Sequence, residues 1–162
     1  TMQNELKEIR QSAEKFPFRP RVYFEEWFDP LISGIRWVEE LIEIAGGEPI
    51  FPELKQFQGA KDRIIDSQKV IEANPQVIIG SWCGKAMKKD LVRSREDWEK
   101  IEAVQKKHIY EIKSAYILQP GPASLTEGIR QIHQILAKVT GAEIKENLHP
   151  LEKTDAALAK SF

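Results

Sequence analysis

The most reactive side chain in this sequence is Cys83, set in the run Trp82-Cys83-Gly84-Lys85. The run has the outline of a dithiol redox loop, but Cys83 is the single cysteine of the chain, so exchange through an intrachain disulfide is closed to it. As a nucleophile the thiol would need a base. The three histidines, His108, His133 and His149, carry no local signature tying any of them to it. A cysteine-dependent enzyme therefore stands only as the alternative to a plainer account, a small residue shaping a tight loop. Glu25 and Glu26 offer paired carboxylates. Neighbours at a strand end point to opposite faces, so one is expected to face a ligand crevice and the other solvent, rather than both flanking one bond. The histidines lack metal-ligand spacing, and no metal site is expected. His133 borders the apolar face of the last helix, the ordinary setting of a core-edge histidine. The loop between Gly80 and Gly84 could present backbone amides to an anion, yet it matches neither glycine-rich phosphate-binding pattern. These residues build no catalytic centre.

The elements that must position them are legible from periodicity. Leu6, Ile9, Ala13 and Phe16 recur at helical spacing ahead of Pro17. Arg21 to Glu25 reads as a strand, followed by a loop over 26–30. Ser33 could cap a helix with Ile35, Val38, Leu41, Ile42 and Ala45 on one face, Glu39, Glu40 and Glu43 opposite, and Gly46-Gly47 as its stop. Residues 48–65 read as loop, and Asp66 caps a short helix that Asn74-Pro75 ends. Val77 to Ile79 is a continuous apolar run, the mark of a strand buried on both faces. Two short helical pieces follow, the second capped by Ser94. A third strand covers His108 to Ile112 and a loop covers 113–123. Ser124 and Glu127 have capping-box spacing before a helix carrying Leu125, Ile129, Ile132, Leu136 and Val139, which Gly141 ends. Residues 142–162 read as a tail.

With 162 residues the chain suits one compact domain, able to bury roughly 70% of its unfolded surface. Four tryptophans, seven phenylalanines and three tyrosines supply too much apolar surface for a solvated coil. A formal net charge of −1 lacks the basic excess of a general nucleic-acid or membrane binder. No apolar run approaches the ~20 residues that span a bilayer. The first sixteen residues read as a charged amphipathic helix rather than a signal peptide.

Strands alternating with helices, some of the strands buried on both faces, imply an α/β fold: a three-layer sandwich about a mostly parallel sheet, Rossmann-like, with right-handed crossovers. In such sheets ligands sit beyond the carboxyl ends of the strands. Those ends are the loops Glu25–Asp29, Gly80–Lys85 and Lys113–Gln119. They carry Trp27, Phe28, Trp82 and Tyr116 beside Glu25, Glu26, Ser81, Lys85 and Gln119. Rigid aromatics at a loop rim suit a flat, bulky ligand. Trp37, inside a helix, and Trp98, among charges, are read as structural.

At these same loops the chain resembles the C-terminal lobe of the cobalamin and iron-siderophore type (class III) substrate-binding proteins of ABC importers. The resemblance is carried by EEW-x-DPLISG, IIGSWCGK and EIKS-x-x-ILQPGP, long and irregular motifs set within residues 19 to 136. It implies a non-enzymatic lobe at 19–141, preceded by the end of an interlobe helix at 1–18, and an extracytoplasmic location. The implied transported ligand is a corrinoid, with a ferric siderophore, haem or another small molecule as alternatives, and no cofactor. It also implies a ligand side formed by Glu25, Glu26, Trp27, Phe28 and Asp29, then Ser81, Trp82, Cys83 and Lys85, then Tyr116 and Gln119. Trp27, Phe28, Trp82 and Tyr116 would pack on a macrocycle.

Such lobes often dock on arginines of the membrane permease through a glutamate. Within Asp66 to Val70 the matching position is Gln68, whose neutral amide cannot form that ion pair. A single lobe also halves the contact surface, so affinity should fall or depend on self-association. A homodimer joined through the apolar stripe of the first helix is the corresponding third reading.

Overall fold

Three β-strands begin at residues where an apolar alternation starts, and their side chains sort by parity onto two faces. In the computed structural model, which describes residues 2–57, 59–119 and 121–144, β1 (Arg21–Phe28), β4 (Val77–Gly80) and β5 (Ile109–Glu111) run parallel in the order β1-β4-β5. Val22, Phe24, Val77, Ile79 and Tyr110 enter one core, and Tyr23, Ile78 and Ile109 enter the other. This is period-2 burial on both faces, which only a sheet covered on both sides can satisfy. β2 (Leu31–Ser33) pairs antiparallel with the end of β1, and β3 (Glu48–Pro49) pairs parallel with its start. The protein is therefore α/β, three layers about a mostly parallel sheet, as expected.

One layer is made by α1 (Met2–Ala13), α2 (Arg36–Ala45) and α7 (Ile129–Thr140), whose Ile9, Ala13, Val38, Leu41, Ile42, Ile132 and Leu136 fill the first core. The other is made by α3 (Ser67–Ala73), α4 (Lys89–Arg93), α5 (Glu102–Gln105) and the turn at Trp98, around Val70, Val92, Trp98, Ile101 and Ala103. Trp98 is fully buried, and Trp37 donates its Nε1–H to the carbonyl of Ile117 at 3.0 Å, so both serve the packing.

The apolar stripe of α1 is spent inside the lobe. Ile9 and Ala13 are buried, Glu5 pairs with Arg130 of α7, and Ser12 hydrogen-bonds the His133 ring. Leu6 of the same stripe is partly buried against this core. His133 lies deeper than a core edge: it is fully buried. Its Nδ1–H donates to the Ala45 carbonyl at 2.8 Å, leaving Nε2 to accept from Ser12 at 3.0 Å. Burial pushes its pKa down, in keeping with that neutral tautomer.

Helix ends follow local chemistry in most places. Asp66 accepts from the Gln68 N–H at 2.9 Å, Asn74 closes α3 in the left-handed region, and Gly141 closes α7 at φ +75°. Gly46 closes α2 at φ +110°, and a Cβ there would meet the Phe16 ring at 2.6 Å. Gly46→Ala is expected to cost about 1–3 kcal/mol, because a side chain must adopt a left-handed backbone and displace an aromatic ring. Urea denaturation measures it, and a cost below about 0.5 kcal/mol would mean that the ring shifts freely.

Several local expectations are corrected. The loop at 26–30 is strand as far as Phe28, since aromatic residues favour the pleated hairpin with β2. Ser33 lies in β2 and does not cap α2; instead Glu26 Oε1 accepts the Ile35 N–H at 3.0 Å. Glu39 is not on the solvent face of α2 but 2% exposed. Residues 48–65 hold β3 and two short 3-10 turns. Ser94 ends α4 rather than beginning a helix. The 113–123 stretch contains α6 (Ser114–Ile117). The capping box does not form: Ser124 Oγ donates to the Gly121 carbonyl at 2.9 Å, Glu127 accepts from Gln131, and the segment winds as one π-type turn. That turn needs Gly128, where a Cβ would meet the Tyr116 carbonyl oxygen at 2.5 Å. The expected tail falls outside the described residues from 145 onward, as does His149.

Candidate ligand-binding site

The carboxyl ends of the parallel strands lie side by side, with Glu25 in register with Gly80 and Gly80 with Glu111. What the sheet presents there depends first on a β-bulge. Glu25 opposes Ser33 and Trp27 opposes Ile32, so Glu26 is the extra residue of β1. A bulge re-aims the side chains around it, and both glutamates end on internal arginines. Glu25 is fully buried. Its Oε1 accepts from Trp82 Nε1 (3.0 Å) and Arg95 (2.8 Å), and its Oε2 accepts from the Tyr23 hydroxyl (2.8 Å) and Arg95 (2.7 Å). This forked guanidinium–carboxylate contact is the strong form of the ion pair. Burial, and next the neighbouring carboxylate, push the Tyr23 phenol well above its ordinary range. Glu26 pairs with Arg63 at 2.9 Å. The expected division of the two glutamates between crevice and solvent is thus corrected.

Above this network the aromatic side chains form a stack. Buried Trp82 lies 4.5 Å from the Phe28 ring centre with the two rings tilted by 33°, and Phe28 lies 4.7 Å from Trp27 with a tilt of 41°. Trp27 and Phe28 are half-buried, and Trp27 Nε1 donates to the Asp29 carbonyl at 3.1 Å. The Lys85 ammonium stands 4.8 Å over the Phe28 ring. The exposed face of the stack therefore belongs to Trp27 and Phe28. Trp82, at 2% exposure, is their support, with Glu25 holding its indole in place.

Beside the stack a groove of about 310 Å³ opens between the 82–86 loop and the 111–115 segment. Trp82, Lys85, Glu111, Lys113 and Ser114 are among the residues lining it. Glu111 turns one carboxylate oxygen to the Met87 N–H at 2.6 Å. Ser81 is buried, and its hydroxyl has no hydrogen-bond partner among the described residues. Asp29, Cys83, Tyr116 and Gln119 are exposed, but they are not among the groove's lining residues. Of the expected site residues, the structure brings Trp27, Phe28, Trp82 and Lys85 together, and it takes Glu25, Glu26 and Ser81 into the interior. Lys113, Glu111 and Arg95 were not singled out as site residues. Lys113 and Glu111 could have been found from their position at the end of a parallel strand, whereas Arg95 carries no local signal.

Among the described residues no group of three His, Cys, Asp or Glu side chains could hold a metal ion. His108 meets the Tyr110 hydroxyl at 3.0 Å, and among the described residues no helix is long and apolar enough to cross a membrane.

No curated protein sequence matches the chain. Solved structures do. The periplasmic vitamin B12 binding protein BtuF of Vibrio cholerae is 18% identical with a TM-score of 0.61, over 85% of this chain and 51% of that one. IsdE of S. aureus, complexed with heme, is 16% identical with a TM-score of 0.62, over 83% of this chain and 54% of that one. An ABC-type Fe3+-hydroxamate transport system from Saccharomonospora viridis is 17% identical with a TM-score of 0.65, over 83% and 46%. The chain thus spans about half the length of these proteins and shares their fold. A sequence model described as periplasmic binding protein matches residues 1–116, most of the chain. By that match, joined to the parallel sheet and the aromatic crevice, the chain belongs to the periplasmic binding protein family.

Proposed function

We propose that this chain is a ligand-binding lobe of an ABC uptake system, acting outside the cytoplasmic membrane and without catalysis, and that it takes a flat macrocycle onto the face of Trp27 and Phe28. The observation that carries this reading is the stack Trp27–Phe28–Trp82, fixed from below by Glu25 and set beside an open groove at the strand ends. Large ring faces offer apolar contact at small entropic cost, and the groove beside them accommodates the substituents of the ring. The sequence's corrinoid and the alternative haem both fit such a platform. They differ in the charge at their periphery, amides in one and carboxylates in the other. In this reading α1 is the end of an interlobe helix, and a second lobe completes the cleft. The exposed Gln68 at the start of α3 would meet a permease without the usual glutamate, which weakens that dock.

Calorimetric titration with cyanocobalamin and with haemin tests the platform. Trp27→Ala and Phe28→Ala are each expected to weaken binding of the ligand that binds by roughly tenfold. Unchanged affinity in both variants would show that the ligand does not lie on this face.

A further inference from the structure

We infer that the crevice selects a ligand bearing carboxylates at the edge of its ring, received by Lys85 and Lys113; the inference rests on the platform reading above and adds the chemical class of the ligand. It is carried by an imbalance in how the charges around the crevice are partnered. Two of the three carboxylates at or near the strand ends are neutralised by arginines, Glu25 by Arg95 and Glu26 by Arg63, and the third, Glu111, lines the groove and turns one oxygen to the Met87 N–H. Lys85 and Lys113 line the same groove, both exposed, and among the described residues neither forms an ion pair. The Lys85 ammonium lies over the Phe28 ring, at the border between stack and groove. Asp29, at the hairpin turn, is an exposed acid on this side that does not line the groove.

The groove therefore presents two ammonium groups against the one carboxylate of Glu111, and it meets the platform at Trp82 and Lys85. A ring on that platform would project its edge substituents over the groove, where the Ser114 hydroxyl adds a hydrogen-bonding group to the two charges. Carboxylates there gain attraction without displacing an existing partner. Neutral amides gain only hydrogen bonds.

The test uses two ligands with one ring: dicyanocobinamide, whose edge groups are amides, and dicyanocobyrinic acid, whose edge groups are carboxylates, with haemin as a dicarboxylate on a different ring. Binding to the full chain is read by calorimetry. The acid is expected to bind at least about tenfold tighter than the amide, and haemin is expected to bind as well. Lys113→Gln and Lys85→Gln should each narrow the difference by about fivefold, the worth of one exposed charge pair. The preference should shrink between about 0.1 and 1 M salt, as the screening length falls from about 10 to about 3 Å. Equal affinity for acid and amide, or a preference that both lysine variants retain, would overturn the charge inference. In that event Trp27→Ala still reports on the platform, by weakening both ligands. If no ring compound binds at all, the platform reading falls and the charge inference falls with it.

Discussion

Glu25→Ala is expected to destabilise the protein by about 3–5 kcal/mol, because it leaves the guanidinium of Arg95 without its counter-charge in the interior. Arg95 is 12% exposed and makes its forked contact with Glu25 alone among the ion pairs of the described residues. The same substitution strips the buried Tyr23 hydroxyl and the Trp82 indole of their acceptor. Urea denaturation followed by tryptophan fluorescence measures the loss. Arg95→Ala alone should cost a comparable amount, since it strands the carboxylate instead. The double variant should cost well below the sum, because its second truncation removes a charge that the first had left unpaired. Additive losses would show that the pair does not act as a unit. A cost under about 1 kcal/mol for Glu25→Ala would mean that water reaches Arg95. The site depends on this pair: Trp82 supports Phe28, so a Glu25→Gln protein, which keeps an acceptor for the indole, should bind ligand better than Glu25→Ala at equal folded fraction.

Glu39→Gln is expected to remove a pH dependence of stability rather than to weaken the fold. Burial pushes the Glu39 carboxyl from its ordinary 4.5 to about 8, and one of its oxygens, Oε2, has no hydrogen-bond partner among the described residues. Ser33 lies 3.5 Å from the other oxygen. The folded protein thus holds a proton here that the unfolded chain releases. The stabilisation is complete below pH 4.5 and is lost as pH rises toward 8, at about 1.4 kcal/mol per pH unit and roughly 5 kcal/mol over the window. His108 and His133 are pushed below 6.5 by burial, and Lys89 is lowered only to about 8. These three groups titrate alike in the parent and in a Glu39→Gln variant and push stability the other way, so the difference between the two proteins from pH 6.5 to 8 isolates Glu39. Across that interval the parent protein should lose about 2 kcal/mol relative to the glutamine variant in urea denaturation. Equal slopes in the two proteins would show that Glu39 is already ionised when folded.

What the sequence determined by itself were the elements whose cause is local. Val77 to Ile79 is apolar at every position, and only a strand covered on both faces buries all three. The spacing of Val38, Leu41, Ile42 and Ala45 draws one helical stripe, and Gly46 can enter a left-handed cap without a Cβ clash. Three parallel strand ends, each followed by aromatic or polar residues, pointed to the edge of the sheet where the groove lies, and the long motifs in them were enough for the family. Tertiary structure alone decided which of those residues face outward. A glutamate in a strand looks the same whether it meets water or an arginine, and Arg95 reaches Glu25 only because the crossover after β4 carries it back over the sheet. Glu39 follows the helical spacing of a solvent face, yet β2 and the turn at Arg63 close over it. Trp82 and Phe28 are equally apolar, and the strand register places one beneath the other. Local pattern sets an element and its period, whereas the partner of a charge or a ring is set by which distant segment the fold brings against it.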